Sequence, residues 1–417
     1  MKVLELDGNE NQAVAALRSL GRAGYRIAVG ADTGWSKAGW SRFCTSQFSY
    51  PSPQTATADL FIRRILEEVS REPGTFVLPM TERTTLPISA NRERILRRGG
   101  RLVLPPHETV LKAFDKQYTT ELARSLGLAV PATVVLTTEA DALRHADTLP
   151  YPVVVKPRSS EESLQDGRVR TTGAPLYARN QRELLEAFAA ISERCQSAIV
   201  QEFVGGAGVG YFALMRHGDL RAEFAHRRIR DVRPTGSGSA LRTSIRATSA
   251  VRDAGLAMLQ ALEWHGVAMV EFRLRPDGTP VFLEVNGRFW NSLALAVHAG
   301  ADFPALLATM AEQGDVRPPV PYREGVRCRW LLGDVRHLVE VWRGRPVQFP
   351  GAFPGRWATL AAVLTPRAGT YHDNFAAADP LPEIGDWIDF VWRRVPRRAR
   401  AGRHAEVWHV TGSATPP

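Results

Sequence analysis

A β-hairpin with one acidic residue on each strand is the feature that most constrains how this chain can fold. Residues 267–290 contain two strand-favouring runs separated by Asp277-Gly278, and an Asp-Gly pair between such runs is a strong hairpin signal. Pairing outward from this turn sets Glu271 opposite Glu284, whether the loop has two residues or four. The pattern therefore predicts two carboxylates that face each other across neighbouring strands.

The same hairpin predicts a site for a divalent cation. Alternation along the second strand predicts one face with Val281, Leu283 and Val285 and another with Phe282, Glu284 and Asn286. Carboxylates about 5 Å apart repel by roughly 3 kcal/mol at an effective dielectric of about 20, and a cation removes that repulsion. Two carboxylates and an amide oxygen suit Mg²⁺, so Glu271, Glu284 and Asn286 are the predicted metal ligands. A solvated face with adjacent glutamates is the alternative.

Four further sequence segments occur in a fixed order along the chain. They are FDKQYTTELARSLGLAVPAT at 114–133, YPVVVKP at 151–157, IVQEFVGG at 199–206, and E-x-N-x-R at 284–288 behind the strand that carries Glu271. Together they resemble the ATP-grasp superfamily over about residues 105–310, in its bacterial carboxylate–amine ligase branch, which is related to carbamoyl-phosphate synthetase and D-alanine–D-alanine ligase. The loop that follows Lys156 departs from the family pattern, because this loop is normally rich in glycine and here contains only Gly167.

The resemblance implies an ATP-dependent ligase that uses ATP and Mg²⁺. It would join a carboxylate to an amine through an acyl phosphate, with release of ADP and phosphate. The implied nucleotide-phosphate contacts are Lys116 and Lys156, and Arg288 is the implied catalytic residue beside the metal. The implied adenine contacts are Gln201, Glu202 and Val204.

An arginine-containing strand precedes the hairpin. Alternation predicts that Phe224, His226, Arg228 and Arg230 share one face, before a glycine- and serine-rich loop at 236–239. Guanidinium groups match phosphate and carboxylate through paired hydrogen bonds. Arg228 is therefore a second candidate catalytic residue, with an exposed arginine ladder as the alternative.

The N-terminal region alternates strands and helices. Such alternation predicts a doubly wound parallel sheet. No G-x-G-x-x-G motif follows the first strand, so a dinucleotide fingerprint is absent. Thr81, Glu82 and Thr84 follow the third predicted strand and are interpreted as turn residues, with a ligand site as the alternative. The predicted strands are 3–7, 26–29, 76–78 and 102–104, and the predicted helices are 11–23, 57–71 and 86–97.

The predicted fold class combines α/β and α+β architecture. A doubly wound, pre-ATP-grasp domain is expected at 1–105, and a two-lobed ATP-grasp domain at 106–312, with a lid subdomain at about 151–205. A C-terminal extension is expected at 313–417. Further predicted elements are a helix over 292–310, strands at 326–333 and 357–364, a helix near 333–343, and a DPLP segment that begins at Asp379.

The charge and cysteine content of the chain indicate which kind of partner and which cellular compartment to expect. The formal net charge is +10, but it comes mostly from dispersed arginine, because lysine occurs at only five positions. Nucleic acid is therefore not favoured as a partner, and the basic run at 393–403 is interpreted as solvated surface. Three widely spaced cysteines, no signal peptide and no apolar run of membrane-spanning length predict a cytoplasmic protein.

The predicted partners are a small-molecule carboxylate and amine, with amino acids and peptides among the candidates, and no membrane. Two other functions stay open. One is an ATP-grasp phosphotransferase, whose acceptor keeps the phosphate. The other is a protein that binds an anionic partner on a degenerate ATP-grasp scaffold. Neither the two substrates nor the oligomeric state follows from the sequence.

Overall fold

The computed structural model describes residues 1–317, 321–365 and 367–392. Within these ranges the strands form two four-stranded sheets, one seven-stranded sheet and one two-stranded sheet. The predicted mixture of α/β and α+β architecture is confirmed.

The N-terminal sheet is parallel, has the strand order β3-β2-β1-β4 and carries helices on both faces. Because side chains alternate across a strand, Val3 packs in the cluster that contains α1, whereas Leu4 packs in the cluster that contains α2. This is the doubly wound arrangement that the alternation of elements predicts. The elements are β1 (Lys2–Glu5), α1 (Asn11–Arg22), β2 (Arg26–Ala31), β3 (Ser46–Ser49), α2 (Ala58–Arg71), β4 (Phe76–Leu78), α3 (Glu82–Ala90) and α4 (Arg92–Arg97).

Three details of this region differ from the prediction. The edge strand β3 is missing from the prediction because its side chains are polar or only half-buried. The predicted strand at 102–104 does not form, since two prolines follow it and only Arg101 makes an isolated bridge to Phe76. The predicted helix at 86–97 is two helices that meet at Asn91, whose side-chain amide donates to the Pro87 carbonyl at 3.0 Å.

A second sheet, the lid sheet, has the strand order β5-β10-β6-β9 and is antiparallel. It has its own hydrophobic core, in which the β6 strand and helices α7 and α8 bury apolar side chains against each other. The sheet takes in β5, which precedes residue 151. The elements are α5 (His107–Phe114), α6 (Lys116–Ser125), β5 (Thr133–Leu136), α7 (Glu139–Ala146), β6 (Val153–Pro157), β7 (Glu161–Ser163), β8 (Val169–Thr171), β9 (Leu176–Ala178), α8 (Gln181–Ser192) and β10 (Ala198–Glu202).

The largest sheet has the strand order β15-β14-β11-β12-β13-β16-β17. One of its faces shares a hydrophobic core with α1, through residues such as Phe212, Trp290 and Phe303, so the large sheet and the N-terminal sheet pack as one unit. The elements up to residue 313 are β11 (Ala207–Arg216), β12 (Asp219–Arg233), β13 (Ser237–Ser244), α9 (Ser249–Ala261), β14 (Gly266–Leu274), β15 (Pro280–Asn286), α10 (Leu293–Ala299) and α11 (Phe303–Gln313).

The predicted hairpin is β14 and β15, and Glu271 pairs with Glu284 as expected. The register shifts by one residue between Glu271 and Phe272, which leaves Leu283 as a bulge. Strict alternation is therefore wrong for part of β15. Phe282 packs in the same apolar core as Val285, whereas Leu283 and Glu284 line a cavity.

Two other predictions in this region are wrong. The stretch 236–239 is not a loop as a whole, because Ser237 already begins β13. The predicted helix at 292–310 is interrupted at Gly300, whose φ of 103° ends α10 in a left-handed cap before α11 begins.

The C-terminal region packs on the N-terminal sheet through buried charges. Asp379, the first residue of the DPLP segment, accepts from Arg18 Nε at 2.8 Å and from Ser41 Oγ at 2.7 Å. Lys37 Nζ lies 2.7 Å from Asp386 Oδ1. The elements are β16 (Arg327–Arg329), α12 (Leu331–Arg343), α13 (Arg356–Leu364), β17 (Thr370–His372) and α14 (Leu381–Trp392).

The segment 357–364, predicted as a strand, lies in helix α13, where Thr359 and Val363 are buried one helical turn apart. The basic run at 393–403 and the last residues of the chain lie outside the described residues. No single helix among the described residues has the length and apolar composition to cross a membrane, although α10 and α11 meet those two criteria when they are counted together across their 87° bend.

A carboxyl group is buried in the middle of the N-terminal sheet. Glu5 is 0% exposed, and neither of its carboxylate oxygens has a hydrogen-bond partner in the described part of the chain. Burial raises the pKa of Glu5 well above its ordinary value, and the nearby Asp7 carboxylate raises it further. Such a group keeps its proton in the folded protein at a pH where the unfolded chain has released it, so rising pH destabilises the fold between the two pKa values.

We expect Glu5→Gln to raise the melting temperature by a few degrees at pH 7 and to have little effect near pH 4, where the carboxyl is protonated in both states. Thermal unfolding across this pH range measures the difference. Glu67→Gln, at an exposed position on α2, is the control. A variant that melts below the wild type at pH 7 would contradict the interpretation.

Candidate functional site

A cavity of about 520 Å³ lies between the lid sheet, the β14–β15 hairpin and a loop of the C-terminal region. Its wall contains eight of the ten residues that the sequence singles out. The other two, Asn286 and Arg288, lie beside Glu284. The eight are Lys116, Lys156, Gln201, Glu202, Val204, Arg228, Glu271 and Glu284.

Two lysines line the cavity, Lys156 from the lid sheet and Lys116 from α6, whose apolar residues pack in a core of the large sheet. Lys116 is the first residue of α6, which Asp115 caps by accepting from two backbone amides. The Lys116 Nζ atom donates to Ser160 Oγ at 3.0 Å and lies 3.8 Å from Glu284 Oε2. Lys156 lies near the end of β6, and burial lowers the pKa of Lys156 to about 8, against the opposing effect of Glu284. The two ammonium groups form a cationic wall.

The opposite wall carries the paired carboxylates. Glu271 forms an ion pair with the guanidinium of Arg228. Burial by itself raises the pKa of Glu284, but Lys116 and Lys156 outweigh burial and hold that pKa below its ordinary value. The two carboxylates thus lie in a cavity whose lining also contains four cationic side chains, Lys116, Lys156, Arg228 and Arg273.

The last two members of the E-x-N-x-R motif extend the site away from the cavity. Asn286 Nδ2 donates to Glu284 Oε1 at 3.2 Å, and Asn286 Oδ1 accepts from Arg288 at 3.1 Å. Arg288 also lies 3.5 Å from Glu82 Oε1, at the end of the N-terminal sheet. The motif thus connects the hairpin to the N-terminal region.

The residues at the hairpin fit a magnesium ion. In the described part of the chain no three His, Cys, Asp or Glu side chains are grouped so that they could hold a metal ion by themselves. Two carboxylates and one amide oxygen leave positions for phosphate oxygens and water, which is how Mg²⁺ is usually held. The metal role of Glu271, Glu284 and Asn286 stays a prediction that the donor set supports.

The arginine strand does not present all of its members to the cavity. Register shifts on both sides of Arg230 turn that side chain toward Asp334, with which it pairs. Arg228 remains in the cavity wall. His226 is 1% exposed, and burial, reinforced by Arg228, lowers its pKa well below the ordinary value. Of the four alternating residues, Arg228 is the one that the structure places at the cavity.

Two of the residues predicted to contact adenine have partners within the protein. Gln201 Nε2 donates to Thr133 Oγ1 at 3.1 Å. Glu202 Oε2 accepts from the Ala132 backbone at 3.2 Å, and Glu202 Oε1 lies 3.3 Å from Arg275. Val204 lines the same wall. The three residues lie together, and their contact with adenine stays a prediction.

The glycine-poor loop after Lys156 forms the β7–β8 hairpin. It is attached to the N-terminal region, since the Val169 amide donates to the Pro53 carbonyl at 2.7 Å and Gln54 donates to Thr171 at 2.8 Å. Ser160 at its start contacts Lys116. Hydrogen bonds to the N-terminal region thus hold this loop in position, whereas the family pattern has a flexible, glycine-rich loop here.

The residues after β4 have two roles. Thr81 and Thr84 donate to Asp7 Oδ2 at 3.0 and 2.5 Å, which ties the end of β4 to the end of β1. These bonds agree with the structural interpretation, but the prediction of turn residues is wrong for Glu82 and Thr84, because both lie in the first turn of α3. Glu82 instead pairs with Arg288.

An aromatic cluster at the cavity wall is absent from the sequence analysis. Tyr177 of β9, Phe203 after β10 and Phe349 after α12 all line the cavity. A signal for Phe349 exists, since Phe-Pro-Gly occurs at 349–351 and again at 353–355. Proline restricts the backbone and glycine allows conformations that other residues avoid. Two such tripeptides therefore predict a loop with a defined backbone conformation.

Comparison with known proteins agrees with this architecture. Residues 190–333 match a family model described as ATP-grasp in the biosynthetic pathway with Ter operon. No curated protein matches the sequence.

Solved structures match over most of the chain. An L-amino acid ligase from Bacillus licheniformis is 17% identical with a TM-score of 0.60, over 76% of this chain and 78% of the ligase. The biotin carboxylase domain of Hydrogenobacter thermophilus 2-oxoglutarate carboxylase, solved with MgADP, ADP and bicarbonate, is 13% identical with a TM-score of 0.60, over 78% and 73%. An ADP complex of N5-carboxyaminoimidazole ribonucleotide synthetase is 15% identical with a TM-score of 0.61, over 78% and 80%.

The sheet topology and these similarities show that the chain has the ATP-grasp fold, as its motifs predict. Within that fold the matched family model is the Ter-operon one, and its match ends at residue 333.

We expect Lys156→Ala to weaken ADP binding by about tenfold or more, because a charge-assisted contact to phosphate contributes about 1.5–3 kcal/mol. Isothermal titration measures the affinity. Lys112→Ala removes an exposed lysine of α5 that lies over the Tyr118 ring and serves as the control. Equal affinities of Lys156→Ala and wild type for ADP would remove Lys156 from the nucleotide site.

Proposed function

We propose that this protein is an ATP-dependent ligase that joins a carboxylate to an amine and releases ADP and phosphate. The observation that carries the proposal is the meeting of two lysines, an arginine and two opposed carboxylates in one cavity. Cations suit the phosphates of a nucleotide, and paired carboxylates suit the magnesium that accompanies them. The proposed domains are 1–105, 106–312 with a lid at about 151–205, and 313–417.

The proposed reaction has two steps. A carboxylate oxygen of the substrate bonds to the γ-phosphorus of ATP, and the bond from that phosphorus to the β–γ bridging oxygen breaks, which gives an acyl phosphate and ADP. The amine nitrogen then bonds to the acyl carbon as the carbon–oxygen bond to phosphate breaks. The amine loses a proton, and the products are an amide and inorganic phosphate.

The chain contributes position and charge to these steps. Lys116 and Lys156 hold the inner phosphates, while Gln201, Glu202 and Val204 form the wall for the base. Arg228 and Arg288 stabilise charge at the transferring phosphoryl group. Magnesium, held by the hairpin residues, would neutralise charge on the outer phosphates.

The known structures support this chemistry by analogy of fold. One similar protein is an L-amino acid ligase, and another was solved with MgADP and bicarbonate. Amino acids are therefore the first class of substrate to test for this chain. The analogy is one of architecture, because identities of 13–17% show the fold alone.

We expect Glu284→Gln to lower kcat by about a hundredfold or more while the melting temperature changes little, since the lost charge compensates the transferring phosphoryl group and removal of such a group costs about 3–4 kcal/mol. A second readout is the dependence of ADP affinity on Mg²⁺, which should be reduced in the variant. Glu340→Gln, on the surface of α12, is the control. Wild-type turnover of Glu284→Gln at saturating Mg²⁺ would exclude Glu284 as a ligand.

The fate of the substrate oxygen tests the reaction itself. When pooled amino acids with ¹⁸O-labelled carboxylates are incubated with ATP, Mg²⁺ and enzyme, we expect one ¹⁸O atom to appear in inorganic phosphate and ADP to be the nucleotide product. Mass spectrometry of phosphate and nucleotides measures both. Release of AMP would refute attack at the γ-phosphorus, and retention of phosphate on the acceptor would identify a phosphotransferase.

A further inference from the structure

The C-terminal region contributes to the wall of the cavity. The loop at 344–355 connects α12 to α13, and three of its residues, Phe349, Gly351 and Ala352, line the cavity together with residues of the lid sheet. This loop begins 11 residues beyond residue 333, where the match to the ATP-grasp family model ends. The cavity is therefore built in part by a segment outside the matched family region.

Phe349 contacts two other aromatic rings at that wall. The ring of Phe349 lies 5.1 Å from the ring of Tyr177 and 6.0 Å from that of Phe203. Tyr177 and Phe203 are themselves 6.1 Å apart. All three pairs have edge-to-face angles of 70–89°, the geometry that favours the quadrupoles of aromatic rings. Three separate chain segments thus meet in one aromatic cluster.

The loop is shaped to hold Phe349 in this place. Its backbone carbonyl accepts two hydrogen bonds from the Arg345 guanidinium, at 3.1 and 2.8 Å. A Cβ atom at Gly351 would lie 2.6 Å from Phe349 Cζ and 3.1 Å from Phe203 Cζ. A side chain at position 351 would therefore displace Phe349 or Phe203, and glycine leaves the space for both rings.

The position of the cluster indicates which part of a ligand it meets. Phe203 lies between Glu202 and Val204, in the wall proposed above for the base. The groups that suit phosphates form a separate cluster, in which Lys116 lies 3.8 Å from Glu284 and Lys156 interacts with both. Aromatic side chains bind flat heterocycles and contribute little to binding of phosphate. We propose that Phe349, supplied by the C-terminal region, is a base-binding residue of the nucleotide site. This inference rests on the proposed ATP-dependent function.

The test compares a nucleotide with its phosphate chain alone. Titration calorimetry gives the affinities of wild type, Phe349→Ala and Phe349→Leu for ADP and for inorganic tripolyphosphate, both with Mg²⁺. We expect Phe349→Ala to bind ADP about fivefold to tenfold more weakly, the range of an aromatic contact, and to bind tripolyphosphate as the wild type does. Phe349→Leu keeps apolar volume in the loop and should show a smaller loss for ADP, which separates a ring contact from a cavity in the fold.

Trp357→Ala is the matched control, because Trp357 belongs to the same region, is 76% exposed and contacts Trp342 rather than the cavity. Unchanged ADP affinity of Phe349→Ala would overturn the inference, and so would equal losses for ADP and tripolyphosphate, which indicate general disruption. If Phe349→Ala does not fold, the leucine variant decides by the same two affinities. Failure of the wild type to bind ADP would instead refute the proposed function.

Discussion

Charge compensation around Glu271 and Glu284 is the interaction on which the site depends. The hairpin holds two carboxylates opposite each other, and the surrounding chain supplies cations from separate elements: Arg228 from β12, Lys116 from α6 and Lys156 from β6. Removal of one partner from a fully buried ion pair costs about 3–5 kcal/mol. The cost here is smaller, since the Glu284 side chain remains 29% exposed. The lid sheet and the large sheet are therefore attracted to each other across the cavity.

A second set of buried charges extends from the large sheet into the C-terminal region. Arg242 of β13 and Asp373 are both fully buried and form an ion pair, and Asp334 of α12 pairs with Arg230. Arg242 stands directly opposite Arg228 in the β12–β13 register. The C-terminal carboxylates thus neutralise arginines that flank the cavity. Asp334 and Asp373 compensate the charges of Arg230 and Arg242. Arg228, which neither of them pairs with, forms its ion pair with Glu271.

The sequence predicts the parts of this molecule that depend on local pattern. Alternating elements indicate the parallel N-terminal sheet, and the Asp-Gly turn indicates the hairpin of β14 and β15. The pairing of Glu271 with Glu284 also needs the bulge at Leu283, because the register next to the turn would otherwise set Glu271 opposite Leu283. Prediction fails where long-range packing decides. The bulge at Leu283 places Phe282 in the core beside Val285, and nothing in the alternation of β15 marks that shift. The composition of segment 357–364 is compatible with a strand or a helix. In the structure this segment is helix α13 and packs against α12.

The candidate site follows the same division. Motifs with fixed spacing identify the lysines and the hairpin, and strand alternation identifies Arg228 as a candidate, because each lies on a regular element. Phe349 could not be placed from the sequence, since a loop more than 140 residues away from Phe203 reaches the cavity only through the packing of the C-terminal region. The two Phe-Pro-Gly tripeptides predict a loop with a restricted backbone, but they do not predict which part of the protein that loop contacts.

The separate core of the lid sheet has a consequence for turnover. Its apolar side chains are buried within residues 134–200, apart from the core that unites the N-terminal and large sheets. A displacement of this unit leaves its own core buried. It breaks contacts with the rest of the chain, among them the bonds of the β7–β8 hairpin to residues 53 and 54, the bond of the Tyr177 hydroxyl to the Thr235 carbonyl, and the aromatic contacts of Phe349. In the proposed reaction, release of ADP would require these contacts to break, so Phe349 in the C-terminal loop would be one of the residues that set the residence time of the product.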